Sequence, residues 1–199
     1  GGDGDAFSIG GNHFNHCARK NVNLTYVVMD NNVYGLTKKQ ASPTSPIGFK
    51  SKTDMWGAVD KPINPMQQAI SAGATFVARS THTNPKHLLS MMEAAMDHKG
   101  FAFIECLSEC TEFYDGAFDS SNSRKGGEFN EVPEDHDPTD ENAAYALSEE
   151  LVPGHFGIYY QIDRPSKQDN EAKVNAKFLE KTKGMKDWEI LQQNFDKMK

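Results

Sequence analysis

The sequence predicts an α/β fold, a parallel sheet with helices on both faces. Three observations carry this. Residues 22–29 alternate poorly and are rich in Val, Leu and Tyr, and 101–107 is rich in Phe, Ile and Leu, as buried parallel strands are. Between such runs lie stretches with helical starts and stops, and strand–helix–strand alternation implies a parallel sheet with right-handed crossovers. The first motif, Gly2-Asp3-Gly4-Asp5, and a second, Asp30-Asn31-Asn32-Val33-Tyr34, flank one such unit at a separation suited to two strand ends on one sheet edge.

The elements follow in order. Residues 8–20 read as a helix, with Ser8 as N-cap and Phe14, Cys17 and Ala18 on one face. Its start lies beside Gly4, so its dipole and free N–H groups could help hold a diphosphate. The strand over 22–29 follows. From Asn31 to Pro65 the chain is irregular, with Pro43, Pro46, Gly48, Gly57 and Pro62. A loop of that length that begins at a strand-end motif reads as a functional one. Asn64-Pro65 opens a helix to Ala72, with Asn64 as N-cap, Pro65 at the first helical position and Gly73 as the stop. Residues 74–79 read as a strand. Asn84-Pro85 opens the clearest helix, ending near Lys99 with Gly100 as its cap and with Leu88, Leu89, Met92, Ala95 and Met96 as the buried stripe. Residues 101–107 are a buried strand, 111–140 an acidic surface loop, 140–151 a helix, and 157–163 a late strand suited to the sheet edge. Residues 1–165 form the domain, and 166–199 a charged helical tail carrying Trp188, Ile190, Leu191 and Phe195.

The bulk properties narrow the class. One well-buried domain accounts for 199 residues, and a net charge of −7 argues against a nucleic-acid surface. No apolar run approaches the roughly 20 residues that span a bilayer. Cys17, Cys106 and Cys110 are an odd set with no secretory signal, which points away from a disulfide framework and suits a reducing cytoplasm. The chain opens Gly1-Gly2-Asp3 without an initiator methionine and places its best motif at residue 2. It reads as a fragment that lacks the strand leading into Gly2.

Asp3 and Asn31 are 28 positions apart. A carboxylate, an amide oxygen and a nearby backbone carbonyl are the hard oxygen donors that octahedral Mg²⁺ takes, with phosphate oxygens completing the shell. Gly2 and Gly4 remove side chains where a backbone must approach a diphosphate. Two unrelated strand-end turns, with Asp3 and Asn31 capping local backbone, would use the same residues.

Gly-Asp-Gly, 26 intervening residues and Asn-Asn together resemble the thiamine-diphosphate (TPP) fingerprint. The longer text is more specific. Gly10-Gly11-Asn12-His13, Asp30 through Lys38, and Gln40-Ala41-Ser42-Pro43-Thr44 resemble the β subunit of 2-oxoacid:ferredoxin oxidoreductases, particularly the 2-oxoglutarate type. The likeness runs to about residue 115 and more loosely to about 165. It implies a TPP-binding fold with Asp3, Asn31 and the Val33 carbonyl on Mg²⁺, and with Gly4, Asp5, Gly35 and Leu36 against the cofactor. It implies Lys38 facing the substrate's distal carboxylate and Cys110 as the fourth ligand of a 4Fe–4S cluster whose other ligands lie outside this stretch. His13, near the first turn of its helix, could face cofactor or substrate, or be a polar packing residue. Lys39 stands where the family usually has glycine, which predicts strain of order 1 kcal/mol if that position needs positive φ. Cys17 and Cys106 read as core thiols.

The resemblance also implies the reaction. A 2-oxoacid is oxidatively decarboxylated with coenzyme A, and electrons leave through iron–sulfur clusters to ferredoxin. An α subunit is the expected partner, since the family's activating glutamate belongs to another polypeptide. A non-redox TPP lyase or carboligase would need no cluster, and Cys110 with the Tyr34–Lys38 run argues against it. A non-catalytic subunit that keeps the fold is the third reading. The preferred 2-oxoacid, the direction and the stoichiometry are not legible.

Overall fold

The computed structural model describes residues 1–150 and 154–198. Its sheet has five strands: β1 (Leu24–Asp30), β2 (Phe76–Thr81), β3 (Phe101–Leu107), β4 (Asn130–Glu131) and β5 (His155–Gln161). They lie in the order β1-β3-β2-β5-β4. β1, β3 and β2 are parallel, as expected. β5 departs from that expectation: it runs antiparallel to β2 and is second from the edge, with the two-residue β4 outside it. A parallel neighbour needs a crossover that packs on the sheet, whereas the 109–140 segment runs along the sheet's margin and returns the chain in the opposite sense.

Burial explains the strand compositions. Every residue of β2 and β3 is buried, which is why apolar residues dominate their first halves and the charged ones are paired. Successive side chains face opposite sides. Phe101 and Phe103 join Phe14, Met66, Ile70 and Tyr159 on one face, and Ala102 and Ile104 join Phe76, Ala78 and Ala95 on the other. The first face is covered by α1 (Gly11–Arg19), α2 (Pro65–Ser71) and α4 (Glu141–Leu147), the second by α3 (Pro85–Asp97). The charged residues inside these strands are matched in register: Arg79 of β2 lies opposite Glu105 of β3, and their buried side chains form a 2.6 Å ion pair.

Several local expectations hold and others shift. Asn64 caps α2 as expected, its side chain accepting from the backbone N–H groups of Met66 and Gln67, with Pro65 at the first position. Asn84 caps α3 through His87 N–H. Ser8 does not cap α1. It lies in a π-helical turn, Asp5–Ile9, and Gly10 sits at the cap without a side-chain bond. A Cβ at Gly10 would come 2.3 Å from the Asp5 carbonyl, so the turn needs glycine there. In α3, Ala95 is buried and Leu88 and Met92 pack on the core, but Leu89 (55 % exposed) and Met96 (68 %) do not. At 100° per residue they stand one step round from the 88–92–95 line, on the helix flank. α4 ends at Leu147, and the expected continuation to Leu151 ends outside the described residues. α5 (Lys167–Lys181) and α6 (Asp187–Asp196) form the tail. No helix among the described residues is long and apolar enough to cross a membrane.

Candidate functional site

Register builds the site. β1 and β3 pair from Leu24↔Phe101 to Asp30↔Leu107, and β2 ends in line at Thr81↔Leu107, so three parallel strands stop at one edge. The first residues of the chain pair on the outer side of β1: Met29 N–H donates to the Gly1 carbonyl at 2.9 Å, and Gly2 bridges Met29 in parallel. Asp3 therefore emerges beside Asp30 and Asn31. The side chain of Asp3 is buried and accepts a long 3.5 Å bond from Asn31 N–H. The Asn31 carboxamide oxygen accepts from Val33 N–H at 3.1 Å, which holds the turn that carries the Val33 carbonyl. A Cβ on Gly4 would lie 2.0 Å from the Tyr34 ring, whose hydroxyl donates to the Gly4 carbonyl at 3.4 Å. Glycine at 4 thus makes room for Tyr34.

Two residues to which sequence reasoning assigned no role tie this edge together. The Thr44 hydroxyl lies 2.9 Å from Asp3 Oδ2 and 2.8 Å from Asp30 Oδ1. A hydroxyl has one proton to give, so Thr44 shares it between the two carboxyl oxygens, and Asp30 Oδ1 accepts a further bond from Asn32 N–H at 3.0 Å. Burial raises Asp30 well above the carboxylate range, and the charges of Glu105 and then Asp3 raise it further, while the bonds from Thr44 and Asn32 N–H act against the rise. Ser45 extends the arrangement by donating to the Asn32 carbonyl at 2.6 Å. The available signals were Asp30 immediately before Asn31 and the Ser42-Pro43-Thr44-Ser45 run. Only the tertiary fold, which lays the long loop over the edge, relates them. Between loop and sheet is a cavity of about 310 Å³, lined by Asp30, Asn32, Thr44, Glu105 and Tyr114 among others.

The 34–40 segment folds back on itself, Tyr34 N–H donating to the Gln40 carbonyl at 3.0 Å and Lys39 N–H to the Tyr34 carbonyl at 3.2 Å. Lys39 has φ +76°, the left-handed geometry anticipated for it, and Lys38 shares it at φ +65°. Two such lysines in succession cost of order 1–2 kcal/mol each. The Lys39 ammonium stands 5.5 Å from the Phe49 ring centroid, and Phe49 packs against Tyr114 at 4.8 Å. Tyr114 N–H in turn donates to the Cys110 carbonyl at 2.8 Å. A Cβ on Gly35 would lie 3.6 Å from Cys110 Sγ, so the lysine loop and the Cys110 turn are in contact.

The expected residues thus divide. Asp3, Gly4, Asn31, Val33, Gly35 and Cys110 come together. Lys38 is exposed at the rim, Leu36 is 98 % exposed, and Asp5 is exposed one residue beyond Gly4. His13 does not join them. It is exposed on α1 and lines a separate groove of about 200 Å³ with Phe14, Cys17, Leu24, Tyr26 and Phe101. Cys106 is buried in β3, as its reading as a core residue implies, and burial pushes its thiol up to about 11. Cys17 is half-buried against the core.

The donor set fits Mg²⁺ with a diphosphate: one carboxylate, one amide oxygen and one carbonyl oxygen. It does not form a three-residue His/Cys/Asp/Glu group, and none exists among the described residues. For a 4Fe–4S cluster, which takes four thiolates, Cys110 offers one.

Comparison with known proteins gives the family. Residues 1–106 match the family described as thiamine pyrophosphate enzyme, C-terminal TPP binding domain. The chain is 46% identical over 119 residues to the 2-oxoglutarate oxidoreductase subunit KorB of Mycobacterium tuberculosis, covering 60% of this chain and 32% of that protein. It is 39% identical over 166 residues to the 2-oxoglutarate synthase subunit KorB of Methanocaldococcus jannaschii, covering 82% and 60% respectively. It superposes with TM-score 0.83 and 39% identity on the 2-oxoglutarate:ferredoxin oxidoreductase from Magnetococcus marinus with 2-oxoglutarate, coenzyme A and succinyl-CoA bound, over 89% of this chain and 60% of that one. The chain spans about a third to three fifths of the length of these proteins.

Proposed function

The chain belongs to the thiamine pyrophosphate enzyme family, through its C-terminal TPP-binding domain, and on that premise we propose that it is the TPP-binding β subunit of a 2-oxoacid:ferredoxin oxidoreductase that acts on 2-oxoglutarate. The reaction takes 2-oxoglutarate and coenzyme A to succinyl-CoA and CO₂, with two electrons leaving to ferredoxin. The observation that carries the reading is the meeting of buried Asp3 with Asn31 and Val33 at the end of β1, in a chain whose relatives bear those enzyme names.

The roles of this chain's residues follow from their chemistry. Asp3, the Asn31 amide oxygen and the Val33 carbonyl hold Mg²⁺, and the metal offsets the charge of the diphosphate. When bound, thiamine diphosphate supplies an electron sink for decarboxylation. The Thr44 hydroxyl, set between Asp3 and Asp30, orients the Asp3 carboxylate. The backbone of Gly4 and Gly35 allows close packing around Tyr34 and Cys110. Lys38, held at the rim by the 34–40 turn, places an ammonium where a distal carboxylate needs an opposite charge. Cys110 supplies one thiolate to a 4Fe–4S cluster completed from outside these residues. An α subunit completes the site.

The test is Asp3→Ala in the full-length protein, titrated with TPP by calorimetry with and without Mg²⁺. Asp3 is the one charged protein ligand in the proposed set, so Mg²⁺-dependent binding should vanish. Unchanged affinity would remove Asp3 from the metal and the reading with it.

A further inference from the structure

We propose that Lys39 is a positioning residue: its ammonium, seated on the Phe49 ring, clamps the 34–40 turn and so sets where Lys38 stands. The inference rests on the reading of Lys38 as the partner of a distal carboxylate, and it starts from a strained backbone. Lys38 and Lys39 have φ +65° and +76°, a region that long side chains enter only when their surroundings over-determine it. Glycine would meet no such penalty at either position. Strained residues gather at functional sites, so a lysine kept there points to a task for its side chain. Lys38 has one in the distal carboxylate. The contacts of Lys39 show another.

The turn holds itself together by short-range bonds. Lys38 N–H donates to the Gly35 carbonyl at 3.0 Å and Lys39 N–H to the Tyr34 carbonyl at 3.2 Å, with a long 3.4 Å bond from the Thr37 hydroxyl to the same carbonyl. Its first limb is fixed to the body of the protein by Tyr34, whose ring lies over Gly4, and by Gly35, which faces Cys110. The return limb reaches the body through Lys39. The ammonium stands 5.5 Å from the Phe49 ring centroid, inside the roughly 6 Å reach of a cation–π contact. Lys39 is half-buried where Lys38 is exposed. Among the described residues it makes no ion pair that would draw the charge elsewhere.

Phe49 is a firm seat. It is buried, its N–H donates to the Pro46 carbonyl at 3.0 Å, and its carbonyl accepts from Ala58 N–H at 2.8 Å. Gly48 N–H closes the same loop on the Ala58 carbonyl at 2.7 Å. The other flank of the ring meets Tyr114 at 4.8 Å, tilted by 50°. Lys39 therefore joins the substrate turn to the 46–58 loop, and through Tyr114 to the Cys110 turn. Backbone strain drives the 34–40 turn toward opening, and the ring contact holds it shut. The balance keeps Lys38 at one place on the rim, and the share of closed turn sets how well a distal carboxylate is met.

Three substitutions in the full-length protein with its partner subunit test the clamp. Lys39→Met keeps the length and the strain and removes the charge. Phe49→Leu keeps an apolar seat and removes the ring face. Lys39→Arg keeps the contact, since guanidinium stacks on aromatic rings at least as readily. Hydrogen exchange of the 34–40 amides is followed by mass spectrometry, and kcat and KM for 2-oxoglutarate and pyruvate by viologen-dye reduction. Lys39→Met and Phe49→Leu should each speed exchange in that segment by about two- to fivefold, the worth of one partly exposed cation–π contact. KM for 2-oxoglutarate should rise by up to the same factor with kcat little changed, and pyruvate should change much less. Lys39→Arg should match the native protein. The double variant should be no worse than either single one, because both remove the same contact. Unaltered exchange overturns the proposal. Additive effects of the two substitutions overturn it too, and would put Lys39 on the substrate directly. Faster exchange with an unchanged KM for 2-oxoglutarate overturns it where Lys38→Met raises that KM. Where Lys38→Met leaves it unchanged as well, the clamp stands and the reading of Lys38 fails.

Discussion

Thr44→Val is nearly isosteric and deletes the one hydroxyl between two buried carboxyls. In the native protein the Thr44 hydroxyl reaches Asp30 at 2.8 Å and Asp3 at 2.9 Å, and Asp30 Oδ1 also accepts from Asn32 N–H at 3.0 Å. Both acidic side chains are 2 % exposed, so neither regains bulk water when the hydroxyl goes. A buried polar group left without its partner costs about 1–3 kcal/mol, and a charged one more. The two losses together reach about 3–5 kcal/mol. A water entering from the adjoining cavity of about 310 Å³ would recover part of this, which puts the expected loss near 3 kcal/mol. Thr44→Ser keeps the hydroxyl and loses a methyl group, at about 1 kcal/mol. The assay is urea unfolding of both variants at pH 7, comparing midpoints at constant slope. Serine should exceed valine by about 2 kcal/mol. A valine variant as stable as the serine one would refute the role of the Thr44 hydroxyl as the link between the two carboxyls.

The other predictions concern substrate, cluster and pH. Lys38→Met should lower kcat/KM for 2-oxoglutarate by about 10- to 150-fold, the worth of one charged hydrogen bond of about 1.5–3 kcal/mol. Pyruvate, with no distal carboxylate, should change much less; viologen-dye reduction with each substrate checks it, and an equal loss on both would assign Lys38 to the loop instead. Cys110→Ser in the full-length protein should disturb the cluster while leaving TPP bound, because oxygen holds iron less well than thiolate; an unaltered electron paramagnetic resonance spectrum and iron content would dismiss the ligand. Burial holds His87 and His98 below the usual imidazole range. Below about pH 6.5 the unfolded chain therefore binds more protons than the folded one, and stability falls as pH drops through that window. Denaturation at pH 7.5 and 5.5 should show this fall, and His87→Asn with His98→Asn should flatten it.

What the sequence determined by itself was local or periodic. The run at 101–107 is β3 to the residue, because a strand buried on both faces is apolar at nearly every position, Glu105 excepted. Asn64-Pro65 and Asn84-Pro85 marked two helix starts, because a cap is a short-range hydrogen bond between near neighbours. Asp3 and Asn31 were paired because their spacing and residue types together carry chemistry, and parallel register does the rest. Tertiary structure alone decided the remainder. The sense of β5 depends on where a long excursion re-enters the sheet, which no window of residues encodes. Leu89 and Met96 are as apolar as any core residue, and only the docking angle of α3 leaves them in water. Thr44 is an ordinary loop threonine until the loop is laid across the strand ends. There it meets two carboxyls from distant parts of the chain, and burial raises Asp30 well above the carboxylate range.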